Sequence, residues 1–431
     1  MAKDLSSAAT TATMSGSASN KQPPDKRDQR SPAPPEKRSR PSSDRSAKTQ
    51  RLASLDALRG AIMLLLASNA IGLAALAHRM PDTIWATLGS QFAHVPWQGC
   101  SIWDMIQPAF MFMVGVALPY SYAARRARGE SYLRTLLHAA VRSVVLVLLG
   151  VFLASQHPWM TTNFFFTNVL AQIGLGYLFV FLLVDRWPWL QALVIAAILG
   201  GYGYLFYQQP LPEPNFDYAA VGITPQDVLP GTAGHWSKNI NFAANFDRKF
   251  LNWFPRPEPY EFTEGGYQTL NFIPSIATMI LGLMGGELLR GNSSDKRKLQ
   301  WLLGGGAVCV VLGLVLHFAV GVPIVKRIWT PSWALFSGGG TLWLLAGFYW
   351  VIDVRGWQRW SFPLIVVGTN SMLMYLMNQL SREWFAHHWQ VHFGQTIFHG
   401  DFGPIVQSVA VVTTMWLICF WLYRQRIFLK I

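Results

Sequence analysis

Residues 133–154 read LRTLLHAAVRSVVLVLLGVFLA, an almost unbroken apolar run broken by only two charges, Arg134 and Arg142. At 1.5 Å per helical residue such a run crosses the roughly 30 Å hydrocarbon core of a bilayer. Working outward from it, runs of the same kind fall at 55–77, 102–123, 167–184, 188–206, 269–290, 299–319, 330–352, 362–380 and 403–424. Together they predict an all-α, polytopic integral membrane protein with about ten transmembrane helices and both termini on one side. Composition agrees, since 51% hydrophobic residues, 13% charged residues and 19 Trp are too apolar and aromatic for an ordinary soluble domain.

Charge predicts the orientation. Between residues 51 and 431 the loops on the terminal side carry fourteen Lys and Arg, from Arg125 to Lys430, against Arg79, Lys326, Arg327 and Arg382 in short loops on the other side. Cytoplasmic loops of membrane proteins are enriched in Lys and Arg, so both termini are expected in the cytoplasm. The net charge of +13 is then mostly topology, and no nucleic-acid partner is expected. Residues 1–50, rich in Ser, Ala, Pro, Lys and Arg with no apolar stretch, predict a disordered, basic cytoplasmic tail. That tail lacks the apolar core of a signal peptide, so the first span is expected to be its own insertion signal. Residues 51–431 form the membrane domain, and the longest external connection, 207–268, has the Pro, Asn, Gly and aromatic content of an ordered cap. Cys100, Cys309 and Cys419 are too few and scattered for a disulfide framework or a zinc site.

Polar residues inside apolar spans are costly and usually retained for binding or chemistry. Arg59 lies at the cytoplasmic start of the first span, Asn69 roughly 15 Å deeper, and Arg142 partway into the third. Cations so placed suit an anionic cytosolic ligand such as a phosphate. They also suit pairing of Arg59 with Asp56 and snorkelling of Arg142 to headgroups. His94, in the run His94-Val95-Pro96-Trp97-Gln98-Gly99, and Asp104 flank the external end of the second span. A histidine oriented by a carboxylate can take a proton from an amine or hydroxyl, and an asparagine amide can stabilise an oxyanion during acyl transfer. Gln107, Asn271, Glu287, Asn370, Asn378 and Gln379, with Lys326 just outside the seventh span, extend a polar path through the bundle. His388 and His392 have helical spacing for a metal, but no acidic or Cys partner stands at a diagnostic distance, and no metal is expected.

Several of these residues form ordered motifs: Arg51-Leu52-Ala53-Ser54-Leu55-Asp56-Ala57-Leu58-Arg59-Gly60, Asn69, His94 to Gly99, and Asp104-Met105-Ile106-Gln107-Pro108 with Phe112 and Gly115. Arg142-Ser143, Glu264-Gly265, Thr269-Leu270-Asn271, Pro323 to Trp329, and Gly368-Thr369-Asn370-Ser371 with Tyr375 continue them. Over about residues 51–380 this pattern resembles the heparan-α-glucosaminide N-acetyltransferase family and its bacterial relatives. The resemblance implies a transmembrane acetyltransferase that takes acetyl from cytosolic acetyl-CoA and delivers it to an amino sugar on the far side, with homodimerisation implied on the same ground alone. His94, Asn69 and Asp104 are then the expected catalytic residues. Arg59, Arg142 and Lys326 are the expected CoA contacts, and Trp97, Glu264, Asn271 and Asn370 the expected acceptor contacts. The chain departs from the family pattern at Phe165 and Gln172, where Arg is common, and at Val325, where Asn is common. The animal lysosomal enzymes have an extra N-terminal span, so a bacterial inner membrane is the expected location.

Two chemical routes stay open: His94 as general base, or as transient carrier of the acetyl group. Two other functions also stay open. One is an O-acyltransferase of an envelope glycan, and the other is a transporter or flippase of a sugar or amphiphile using the same polar path without chemistry.

Overall fold

The computed structural model describes residues 52–156 and 161–429, so the predicted tail at 1–50 lies outside the described residues. Helices α1 (Ala53–Ala67), α2 (Leu73–Arg79) and α3 (Ile84–Ser90) lead to α4 (Ile106–Ala127), α5 (Tyr132–Ala154), α6 (Val169–Leu182) and α7 (Pro188–Gln208). A cap segment containing α8 (Phe242–Phe250) follows, then α9 (Phe272–Arg290), α10 (Asp295–Val315) and α11 (Pro331–Phe348). The chain closes with α12 (Phe362–Thr369), α13 (Ser371–Leu380), α14 (Arg382–Phe393), α15 (Thr396–His399) and α16 (Gly403–Arg424). No strand occurs among the described residues. Local chemistry sets the helix starts. Ser131, Asn168, Asn241 and Thr330 each accept a backbone N–H from the first turn of α5, α6, α8 and α11, and proline occupies the first turn of α7, α11, α12 and α16.

Among the described residues, six helical segments are long and apolar enough to cross a membrane: Tyr132–Ala154, Pro188–Gln208, Thr269–Arg290, Asp295–Val320, Pro331–Val354 and Gly403–Arg424. The protein is an all-helical integral membrane protein. The ninth predicted span is a bent pair, Arg359–Thr369 and Ser371–Leu380, with a 67° angle between them. The first predicted span is also not continuous. After Ala67 the backbone takes left-handed conformations at Asn69 (φ 45°), Ile71 (φ 57°) and Gly72 (φ 72°) before α2 begins. The second and fourth predicted stretches are helical, as α4 and the 14-residue α6, without by themselves reaching the length and apolarity of the six.

Helix α9 is the hub, packed against α4, α6, α7 and α11. Its stretch is 72% buried by these neighbours, whereas the no less apolar α10 stretch is 17% buried and turns its side chains outward. The α4–α9 crossing requires glycine. A Cβ on Gly115 would stand 1.9 Å from the Met279 carbonyl oxygen, and one on Gly282 would stand 2.0 Å from that of Phe112. Such backbone approach gives dispersion contact that larger residues prevent, the usual source of helix affinity in lipid. Of the triplet Gly304-Gly305-Gly306, only Gly306 contacts a neighbouring helix, meeting Gly339 of α11, while Gly304 and Gly305 face open space.

The 207–268 segment folds as short 3-10 turns around α8. Trp236 stacks on Phe206 of α7 with ring centroids 4.4 Å apart, and Arg256 Nη2 donates to the Phe164 carbonyl at 2.9 Å. Asp247, fully buried on α8, accepts the Thr269 N–H at 2.8 Å through Oδ2, while Oδ1 is buried without a hydrogen-bond partner among the described residues. That burial pushes the Asp247 carboxyl up to about 7, against the ordinary 3.8 of an aspartate.

Gly282→Ala is expected to lower stability by about 1–3 kcal/mol through overpacking, read as a lower thermal midpoint in detergent, while Gly305→Ala leaves it unchanged. Asp247 has a folded-state pKa above its unfolded value, so its contribution turns unfavourable as pH rises from 3.8 to about 7 and then stays level. Asp247→Asn should therefore raise the midpoint at pH 8, with a gain that shrinks as pH falls toward 4. An equal effect of Asp247→Asn at both pH values would contradict this.

Candidate functional site

The turn after α3 brings His94 back onto the start of α4. His94 Nδ1 lies 2.7 Å from Asp104 Oδ1, and Lys326 Nζ reaches the same oxygen at 3.2 Å and the imidazole Nδ1 at 3.3 Å. The second carboxylate oxygen of Asp104 accepts the backbone N–H groups of Val95 and Ser101, both at 3.3 Å, and the Ser101 hydroxyl at 2.9 Å. Asp104 and Lys326 side chains are 2% and 5% exposed, whereas His94 is 40% exposed. A buried carboxylate so saturated with donors is ionised and immobile. It fixes the imidazole with Nδ1 as donor, which leaves the lone pair on Nε2. Burial pushes the Lys326 ammonium below its ordinary value, and Asp104 opposes that shift. Burial, helped by Asp104, pushes the Cys100 thiol up to about 12, so Cys100 is a packing residue rather than a nucleophile.

The segment Pro323 to Trp329 braces this turn. Gly99 N–H donates to the Ile324 carbonyl at 2.9 Å. Arg327 donates to the carbonyls of Gly265 at 2.7 Å and Val95 at 3.2 Å, with its guanidinium 5.5 Å from the Tyr267 ring centre. Asn271 donates to the Arg327 carbonyl, and Trp97 Nε1 to the Trp236 carbonyl at 3.1 Å. Trp97 Nε1 and Asn271 Nδ2, expected at the acceptor, are thus engaged in the frame, while Asn271 Oδ1 is buried with no hydrogen-bond partner among the described residues and Glu264 is exposed. Lys326, expected at CoA, stands instead beside Asp104 and His94.

His94 and Lys326 open on a cavity of about 320 Å³, with Gln107, Phe110, Asn168, Tyr267, Tyr375 and Gln379 also on its walls. A second cavity of about 400 Å³ shares Phe110 with it and is basic, lined by Arg59, Arg125, His138 and Arg142. Arg142 Nη1 donates to the Tyr177 hydroxyl at 3.3 Å, while its Nε is buried with no partner among the described residues. Arg59 lies 3.4 Å from Asp56 Oδ1, the pairing that sequence left open. A third cavity of about 570 Å³, beneath the cap, shares Asn168, Tyr375 and Gln379 with the first and carries Arg256 and Glu258. The three adjoin in series. Asn69 lies outside their walls, exposed in the turn that packs on α16. Asn370 sits at the α12–α13 bend, where Nδ2 donates to the Ile427 carbonyl and Oδ1 accepts the Leu429 N–H, both at 3.0 Å. Its neighbours Thr369 and Ser371 line the basic cavity, while Asn370 itself is buried behind that wall.

The chain is 26% identical over 433 residues to heparan-alpha-glucosaminide N-acetyltransferase of Homo sapiens, a match that covers 90% of the chain and 61% of that protein. The Mus musculus protein of the same name is 25% identical over 384 residues, covering 79% of the chain and 56% of that protein. The chain is similar to these acetyltransferases. It spans about three fifths of their length. A family model described as a domain of unknown function, DUF5009, matches residues 51–191, which include the His94–Asp104 turn and both Arg59 and Arg142.

Arg125, His138 and Arg327 escaped the sequence reading as site residues. Arg125 and Arg327 carry weight there only as loop charge, and the Pro323 to Trp329 motif is the signal that marks the brace. Among the described residues no three His, Cys, Asp or Glu side chains gather as a metal ion requires, and His388 Nδ1 bonds to the Trp384 carbonyl at 2.9 Å.

Lys326→Met should destabilise the protein by roughly 3 kcal/mol, because it strands a buried carboxylate. The double variant Lys326→Met/Asp104→Leu should recover part of that loss. Additive losses in thermal melts would show that the two groups are not coupled.

Proposed function

We propose that the protein is a transmembrane acetyltransferase, taking acetyl from cytosolic acetyl-CoA and delivering it to an amino-sugar acceptor on the periplasmic side of a bacterial inner membrane. The observation that carries this reading is His94, held by buried Asp104 on a cavity that adjoins a basic cavity on one side and a capped cavity on the other. Counting α1 with α2, α4, α6 and the bent pair as spans gives ten, with both termini in the cytoplasm by the charge of the loops. On that topology the basic cavity opens to the cytosol.

Arg59, Arg125, Arg142 and His138 suit the phosphates of CoA, and the unpartnered Nε of Arg142 is a donor such a ligand would satisfy. Acetyl-CoA, when bound, supplies the acyl group as an activated thioester. Asp104 keeps the proton on Nδ1, so His94 Nε2 takes the proton of the attacking amine and returns it to the departing sulfur as the C–N bond forms and the C–S bond breaks. In the alternative route Nε2 itself bonds to the acyl carbon as the C–S bond breaks and the CoA thiolate leaves, and the acceptor amine then takes the acyl group as the N–C bond to the imidazole breaks. Lys326 holds Asp104 ionised in either route.

Purified protein in detergent should transfer acetyl from acetyl-CoA to glucosamine, and His94→Ala should lower the rate by at least 100-fold, within the range removed with a general base. Rapid-quench labelling separates the routes: radiolabelled acetyl retained without acceptor, and absent from His94→Ala, indicates the carrier route. Absence of turnover together with absence of CoA binding would overturn the proposal in favour of a transporter.

A further inference from the structure

The His94 cavity and the basic cavity are lined from the same two helices. On α4, Ile106 and Gln107 face the His94 cavity while Met113 and Val114 face the basic one. On α6 the change falls between Val169, on the His94 side, and Leu170 and Ile173 on the basic side. Gln107, on the wall of the His94 cavity, stands at this change-over, and its Nε2 donates at 3.1 Å to Oε1 of Gln172, which lies behind it on neither wall. Gln172 is fully buried, and its own Nε2 has no hydrogen-bond partner among the described residues.

A buried amide N–H without an acceptor is unfavourable, and two paired amides leave donors and an acceptor still to be matched. A ligand that crosses from the basic cavity to His94 meets Gln107 beside apolar Phe110, with Gln172 paired directly behind it. We infer that Gln107 and Gln172 form a binding subsite for a secondary amide on the flexible arm of the acyl carrier. CoA suits it chemically, since the arm between its nucleotide and its thiol contains two secondary amides separated by methylenes. The carbonyl of such an amide satisfies the Gln172 N–H, and its N–H can donate to Gln107 Oε1. Sensing the arm at this point sets the reach of the thioester toward His94, and it favours carriers that bear an amide there over those that do not. The inference rests on the acetyl-CoA reading proposed above.

The test measures calorimetric affinity of the full-length protein for CoA and for adenosine 3′,5′-bisphosphate, which has the phosphates but no arm. Gln107→Leu and Gln172→Leu should each weaken CoA roughly five- to tenfold, the worth of one net hydrogen bond, and leave the bisphosphate unchanged. Arg142→Ala should weaken both ligands. Unchanged CoA affinity in the glutamine variants, or parallel loss of both ligands, would overturn the subsite and leave the pair as a link between helices. If wild-type protein binds neither ligand, the acetyl-CoA reading fails and the subsite falls with it. Gln107 is only half-buried, so Gln107→Leu carries the test should Gln172→Leu not fold.

Discussion

The buried carboxylate of Asp104 is the constraint on which the rest of the site depends. It accepts from His94, Lys326, Val95 and Ser101, and none of those donors lies on α4, the helix that starts two residues after Asp104. Water cannot replace these partners at 2% exposure, so the turn 94–101 and the segment 323–329 have one mutual placement that leaves the charge satisfied. The cap is then aligned through Arg327, which reaches both Val95 and Gly265. One ionised group therefore orients the imidazole, pins the loop that carries it and registers the cap above it.

Such a site needs a scaffold that does not shear. Backbone-to-backbone contact at Gly115 and Gly282 locks α4, which begins beside Asp104, onto the hub helix α9. Helix α6 packs on both, and its cap residue Asn168 is also on the walls of two cavities. The same tight crossings that give lipid-embedded helices their affinity thus define where the cavities open.

Much of this was legible in the sequence, and the parts that were not share a physical cause. Apolar runs located the helices, because burial in lipid is read directly from hydropathy. The His94–Asp104 pair was legible because ten residues separate two polar groups at one span end. The break at Asn69 was not, since a left-handed turn depends on the seat it finds against α16 rather than on local composition. Asn271, Trp97 and Asn370 showed as polar or aromatic groups in spans, but their partners are backbone carbonyls and N–H groups of distant segments, Arg327, Trp236 and Ile427 with Leu429. Backbone acceptors have no sequence identity, so no pattern marks them. Arg125 was hidden for another reason: a cation that also satisfies the charge bias of a cytoplasmic loop gives no separate signal for a ligand.

The order of the cavities bears on how any group could cross. A phosphate-bearing carrier cannot enter hydrocarbon at acceptable cost, and the three arginines that suit it lie on one cavity only. Past Phe110 the walls are aromatic and amide, with the single ion pair Asp104–Lys326 already internally neutralised. That lining suits a neutral acyl group and the uncharged arm that bears it, and it disfavours an anion. Arg256 and Glu258 return charge only under the cap. On the proposed reading, the carrier and the acceptor each stay on their own side, and the imidazole stands where the one neutral fragment passes between them.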